Sequence, residues 1–157
     1  MIGFTEQKIK VKKSINGDSR TANNLEINEL RKATVSHIRD VSNGLLLFAN
    51  ILGDRGHAHD HTKMERMDDF FNALNSGNVK ESDWYKRHIT EERHHLKSYV
   101  PEDVNLIDVL EHLVDCSMAG KTRSGEAYDL DLAPELIMKA YENTVKQFWD
   151  TIEVIDE

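Results

Sequence analysis

The sequence predicts an all-α protein, a single-domain helical bundle with a short irregular arm at its N-terminal end. Two observations lead there. From about Ile27 onward, apolar residues recur at spacings of three and four, the period of one helix face. That pattern is interrupted by a few clusters of Gly, Asn, Ser and Pro, which mark turns between helices. A length of 157 residues suits one domain able to close its own core. The expected division is an arm over residues 1–25 and a helical domain over 26–157.

Taken in order, Ile9-Lys10-Val11-Lys12 alternates apolar and basic residues, which predicts a short edge strand or a loose arm before the turn-rich run Ser14 to Asn24. Leu30, Ala33, His37, Val41, Leu45, Phe48 and Leu52 then share one helix face, which puts His37 on the buried stripe. Gly53 to Gly56 is expected to end that helix. A second should begin near His59 and carry Asp60, Met64, Met67, Phe71 and Leu74 along its inward side. After the loop Asn75 to Asn78, Ser82 or Asp83 can cap a third helix from Trp84 to Tyr99, which Pro101 terminates.

Asp103 or Asn105 can cap a fourth helix reaching about Ala119, with Leu106, Val109, Leu110, Leu113 and Val114 as its apolar side. Beside it runs a stripe of ligand-type groups, Asp108, Glu111, His112 and Asp115. The loop Gly120 to Asp131 leads to Pro134 and a last helix bearing Leu136, Ala140, Val145, Phe148, Ile152 and Ile155. Phe148 and Trp149 on that helix suit core packing, with a homodimer contact as the other use.

Composition narrows the function. Twenty basic against 28 acidic residues give a formal charge of −8, which disfavours an extended nucleic-acid surface or binding to an anionic membrane. Cys116, the single cysteine, rules out an internal disulfide framework and a Cys-rich zinc module, so a reducing cytoplasm is expected. The longest apolar stretch, Leu45 to Ala49, is far too short to span a bilayer.

The eight histidines all fall between His37 and His112. At the centre of that interval stands His59-Asp60-His61-Thr62-Lys63, with His88, His94-His95 and Asp115 downstream. Neutral imidazole with carboxylate is the ligand set of zinc, iron or manganese, and an adjacent His-Asp pair lets the carboxylate bridge two ions while the imidazole holds one. His57 and His61 are expected to be solvated or to support ligands from outside, and His112 to be exposed. On a helix, His94 and His95 would point about 100° apart, so unless the helix ends between them one would bind metal and the other face solvent. Two bridged divalent ions favour in-line displacement at phosphorus. Lys63, Lys121 and Arg123 could then neutralise phosphate charge. Glu111 is placed to orient a ligand histidine or to accept a proton. Ala119-Gly120-Lys121-Thr122 is not a P-loop, since Asp115 stands where the first glycine is needed and no strand precedes it.

His37-Ile38-Arg39-Asp40-Val41, His59-Asp60-His61-Thr62-Lys63, His94-His95 and Asn105 through Glu111 to Asp115 together resemble the HD-domain superfamily of metal-dependent phosphohydrolases. The likeness is nearest to a family of small HD-like proteins from bacteria and phages, and covers roughly residues 30 to 125. It implies that His37, His59, Asp60 and Asp115 form the basic metal set, with His88, His94 and His95 extending it to a second or third ion. Lys63 matches the lysine of the His-Asp-x-Gly-Lys form found in cyclic-dinucleotide phosphodiesterases of the superfamily. Thr62, however, replaces the usual small residue, and the Gly-Tyr-Pro segment of those enzymes is missing. The expected activity is hydrolysis of a nucleotide or nucleotide-derived phosphate ester with two divalent ions, iron, manganese or zinc. Two alternatives stand beside it: a di-iron oxygenase of the same superfamily, and a non-catalytic binding protein stabilised by metal.

Overall fold

The computed structural model describes Phe4, residues 7–14 and residues 26–156. Helices dominate: α1 (Ile27–Ala58), α2 (His61–Glu65), α3 (Met67–Asn75), α4 (Asp83–Glu91), α5 (Leu106–Arg123) and α6 (Pro134–Thr151). Two short strands, β1 (Ile9–Lys12) and β2 (Ile152–Ile155), pair in parallel with Ile9 opposite Ile152 and Lys12 opposite Ile155. The all-α class therefore holds. No helix among the described residues is long and apolar enough to cross a membrane. The chain divides into two compact units, one of residues 54–146 and one of residues 2–53 with 147–157.

In the latter unit the β1–β2 ladder is joined by aromatic packing. Phe48 lies 5.2 Å from Phe4 and 5.1 Å from Phe148, centroid to centroid. Gly44 makes room for the last of these, because a Cβ there would stand 3.0 Å from Phe148 Cζ. Ile152 and Ile155 thus belong to a strand, not to the end of the last helix. Four residues of extended chain satisfy their backbone through β1, an outcome that a periodic apolar pattern alone does not separate from another helical turn. Most of the turn-rich run after Ser14 lies outside the described residues.

The glycines at 53 and 56 do not end α1, which runs on to Ala58. A helical glycine costs about 1 kcal/mol relative to alanine, which a long helix absorbs. The break comes at Asp60, the one described non-glycine residue with positive φ, at φ 56° and ψ 23°.

The unit of residues 54–146 buries Leu96, Val104 and Ala140 against Leu106, Val109, Leu132 and Leu136. Trp84 stacks between Phe70, at 4.4 Å and 26°, and His88, at 4.7 Å and 15°. The start of α5 is set by a capping box. Asn105 Oδ1 accepts from the amides of Ile107 and Asp108, while Asp108 Oδ2 accepts from the Asn105 amide at 3.0 Å.

Several expected apolar faces point outward. Leu110, Leu113 and Val114 of α5 are exposed, as are Met64, Met67, Phe71 and Leu74, whereas Asp108, Glu111 and His112 are buried. His112, expected at the surface, is 5% exposed, and its Nδ1 lies 2.9 Å from the His94 carbonyl. The polar stripe of α5 faces inward because its carboxylates find cationic and imidazole partners there, which offset the cost of burying charge.

Candidate metal centre

Each functional side chain is placed by a local feature of the chain. His59 and Asp60 occupy the break between α1 and α2. A left-handed backbone at a residue other than glycine costs of order 1–3 kcal/mol, and Asp is among the few side chains that tolerate it. The strain sits at the residue whose carboxylate is most central to the cluster. His88 comes from the last turn of α4. That helix stops at Glu91, and Glu92 is extended, its amide bonding back to the His88 carbonyl at 2.9 Å.

His94 and His95 consequently lie in a turn rather than on the expected helix through Tyr99. Arg93 forces this turn by a bidentate bond to Asp108, Nε to Oδ1 and Nη2 to Oδ2 at 2.8 Å each, which carries the segment onto the start of α5. The 100° separation of a helix does not apply, and both rings turn to the site with centroids 4.2 Å apart.

Two triads result. His59, His94 and Asp115 bring one ligand atom each within 4.8 Å of one another, and Asp60, His88 and His95 do the same. Asp60 stands between them. Its Oδ2 is 3.5 Å from His59 Nε2, and its Oδ1 is 3.5 Å from His88 Nε2 and 3.8 Å from His94 Nε2. Asp115 reaches both histidines of the first triad, at 3.5 Å from His59 Nε2 and 3.8 Å from His94 Nε2.

His37, the seventh expected ligand, is not among them. It belongs to the unit of residues 2–53 with 147–157, is exposed, and lines an apolar groove with Val41, Phe48 and Phe148. The apolar periodicity that put His37 on a buried stripe marks the wall of that groove.

The histidines are oriented from behind by carboxylates. Glu111 Oε1 lies 3.0 Å from His59 Nδ1 and 3.2 Å from His94 Nδ1, which leaves both Nε2 atoms facing Asp60 and Asp115. Arg55 approaches Glu111 Oε2 at 3.5 Å and Asp108 Oδ1 at 3.4 Å, so buried negative charge is compensated on the far side. Of the two roles open to Glu111, this geometry favours orienting ligands over accepting a proton.

Electrostatics separate the triads. Asp115, then Glu111, hold the His59 imidazole protonated, raising it from 6.5 to about 10 against the effect of burial. The hydrogen bond from His59 brings Asp115 down to about 2. Burial works to raise Glu111, but His59 and His94 outweigh it and lower it to about 2. In the second triad burial, followed by the neighbouring His94 and His88, pushes His95 down to about 3, and burial lowers His88 as well.

These residues fit a metal. Asp60 Oδ1 and His94 Nε2 are buried with no hydrogen-bond partner among the described residues. Orphans of this kind are rare in folded proteins and cost about 1–3 kcal/mol each. His88 Nε2 and His95 Nε2 stand 2.8 Å apart, so a proton or a cation has to lie between them. With metal–nitrogen bonds of about 2.0–2.1 Å, two such nitrogens fit as neighbours on one ion. Imidazole and carboxylate donors without thiolate suit zinc, manganese or iron.

A cleft of about 310 Å³ opens beside the triads, lined by Lys63, Lys97, Cys116, Arg123, Tyr128 and Asp129 among others. Lys63 pairs with Asp60 and Lys97 with Asp129 at 2.5 Å. Lys121 is exposed and does not line this cleft. Gly120 shapes the wall, because a Cβ there would come within 2.3 Å of the Glu126 carbonyl and 2.6 Å of the Tyr128 amide. No family model, curated protein or solved structure matches the chain.

Sequence reasoning passed over Glu92, Arg93, Arg55 and Lys97. Glu92 follows His88 by four residues, a spacing that on a continuous helix marks a surface pair. Only the end of α4 turns it inward.

Proposed function

We propose that this protein is a metal-dependent phosphohydrolase of the HD type, acting on a nucleotide or nucleotide-derived phosphate ester. The observation that carries the reading is the pair of His/Asp triads with Asp60 between them, beside a cleft bearing cations. Two divalent ions held by these triads would supply an activated water and neutralise charge on a phosphoryl group in displacement.

The chain's own groups have definable tasks. Glu111 orients His59 and His94. Lys63 is held beside Asp60 at the edge of the cleft, where an ammonium can meet a phosphate oxygen. Arg123, on the cleft wall at the end of α5, offers a planar fork matched to phosphate, and Lys97 adds a second cation on that wall.

The test is turnover of p-nitrophenyl phosphate, bis-p-nitrophenyl phosphate and a panel of nucleotides by untagged protein loaded with manganese under nitrogen. Phosphate or nucleotide release that disappears in the His59→Ala/Asp60→Ala variant supports the reading. Oxygen consumption by the iron form, with no hydrolysis by the manganese form, would replace it with the oxygenase alternative.

A further inference from the structure

Thr62 is the residue at which the chain departs from the pattern it resembles, and the structure gives it a partner on each side. It is fully buried, at 0% exposure. Its Oγ1 lies 2.7 Å from His88 Nδ1 and donates to Glu92 Oε1 at 2.7 Å. Glu92, itself 4% exposed, also accepts from the Thr62 amide at 2.9 Å, and His61 Nδ1 stands 3.0 Å away.

A hydroxyl has one proton to give. Because a carboxylate only accepts, the Thr62 proton is spent on Glu92, and the hydroxyl oxygen must accept from His88. That fixes the His88 proton on Nδ1. The Nε2 lone pair is then left facing Asp60 Oδ1 at 3.5 Å and His95 Nε2 at 2.8 Å. Stacking on Trp84 at 4.7 Å and 15° restrains the ring from turning about its axis.

We infer that Thr62 and Glu92 are positioning residues for the ion of the Asp60–His88–His95 triad, locking His88 in the tautomer that presents Nε2 to metal. The first triad receives the same service from Glu111 by direct contact; the second receives it through one hydroxyl. The usual small residue at this position would leave His88 Nδ1 and Glu92 facing each other across a gap. Loss of the Thr62 hydroxyl therefore weakens one ion site and spares the other. The inference rests on the metal-binding reading for its consequence, but the tautomer can be measured without any ion.

Two measurements decide it. Nitrogen-15 and proton correlation spectra of the histidine rings in metal-free wild type report the His88 tautomer directly, and the expected form carries its proton on Nδ1. Manganese binding by equilibrium dialysis then compares wild type with Thr62→Val and Thr62→Ser. Loss of an outer-sphere partner costs about 10–100-fold in metal affinity. Thr62→Val is expected to weaken one of the two equivalents by that factor, with the other unchanged, and Thr62→Ser to restore both. An Nε2-protonated His88 in the wild type overturns the inference, as does a Thr62→Val protein that binds both ions as the wild type does. A wild type that binds no manganese defeats the proposed function, and the ring spectrum alone then decides the tautomer.

Discussion

The two triads use the same residue types in opposite electrostatic states. Around His59, His94 and Asp115 the site is an ion-pair cluster: an imidazolium is held by two carboxylates that it keeps deprotonated. Around Asp60, His88 and His95 burial favours neutral rings, and the two Nε2 atoms, 2.8 Å apart, share one proton between them. The first triad is charge-balanced by an imidazolium proton before any metal arrives, whereas the second holds neutral rings joined by one hydrogen bond. A cation must expel a proton from the first triad, but in the second it need only shift the shared proton to the other nitrogen of a neutral ring.

The largest effect that tests this difference comes from removing the residues that both triads depend on. His59→Ala/Asp60→Ala should abolish metal binding and lower turnover by at least about 10³-fold, a scale set by losing the groups that hold the reacting centre. Elemental analysis beside the activity assay checks both. Glu111→Gln separates the triads, since Glu111 contacts only the histidines of the first. Its manganese isotherm should lose about 10–100-fold at one equivalent and keep the other. An equal loss at both would break the comparison.

Acidity sharpens it further. His59 is raised from 6.5 to about 10 in the folded metal-free protein, so its contribution to stability is complete below 6.5 and lost as pH rises through 10. Asp115, lowered from 3.8 to about 2, contributes above 3.8 and loses that contribution as pH falls through 2. Thermal melts of metal-free protein should decline by about 4 °C or more between the neutral range and the alkaline one. Metal-loaded protein should lack this decline, because the ion takes the place of the His59 proton. Calorimetry in buffers of different ionisation enthalpy should find about one proton released by the first triad near neutral pH, and far less by the second.

The smallest effect is expected at the cleft. Arg123→Ala should raise KM for a phosphate ester by about 3–10-fold, in line with a partly exposed charged contact, and leave metal content unchanged. A drop in metal content would show that Arg123 supports the triads instead.

What could be read from the sequence was local. Asn105 and Asp108 form the cap and capping box because a helix start is encoded within four residues, and the clustering of His59, Asp60, His88 and Asp115 is visible as composition. What could not be read depends on distant partners. The turn bearing His94 and His95 exists because Arg93 grips Asp108, fifteen positions away. Further along α5 the inward face is polar because Arg55, His59 and His94 meet Glu111 there, so apolar periodicity, right for Leu106 and Val109, failed for Leu110, Leu113 and Val114. His37, expected on a buried stripe, is exposed for a related reason: its apolar neighbours line the groove beside Phe48 and Phe148.

Whether both triads hold ions is the central question. Plasma mass spectrometry on untagged protein, purified without chelator and reconstituted with manganese, zinc or iron(II), measures this directly. About two equivalents per chain, one for each triad, is the predicted result; a protein that stays metal-free after reconstitution with all three would contradict it.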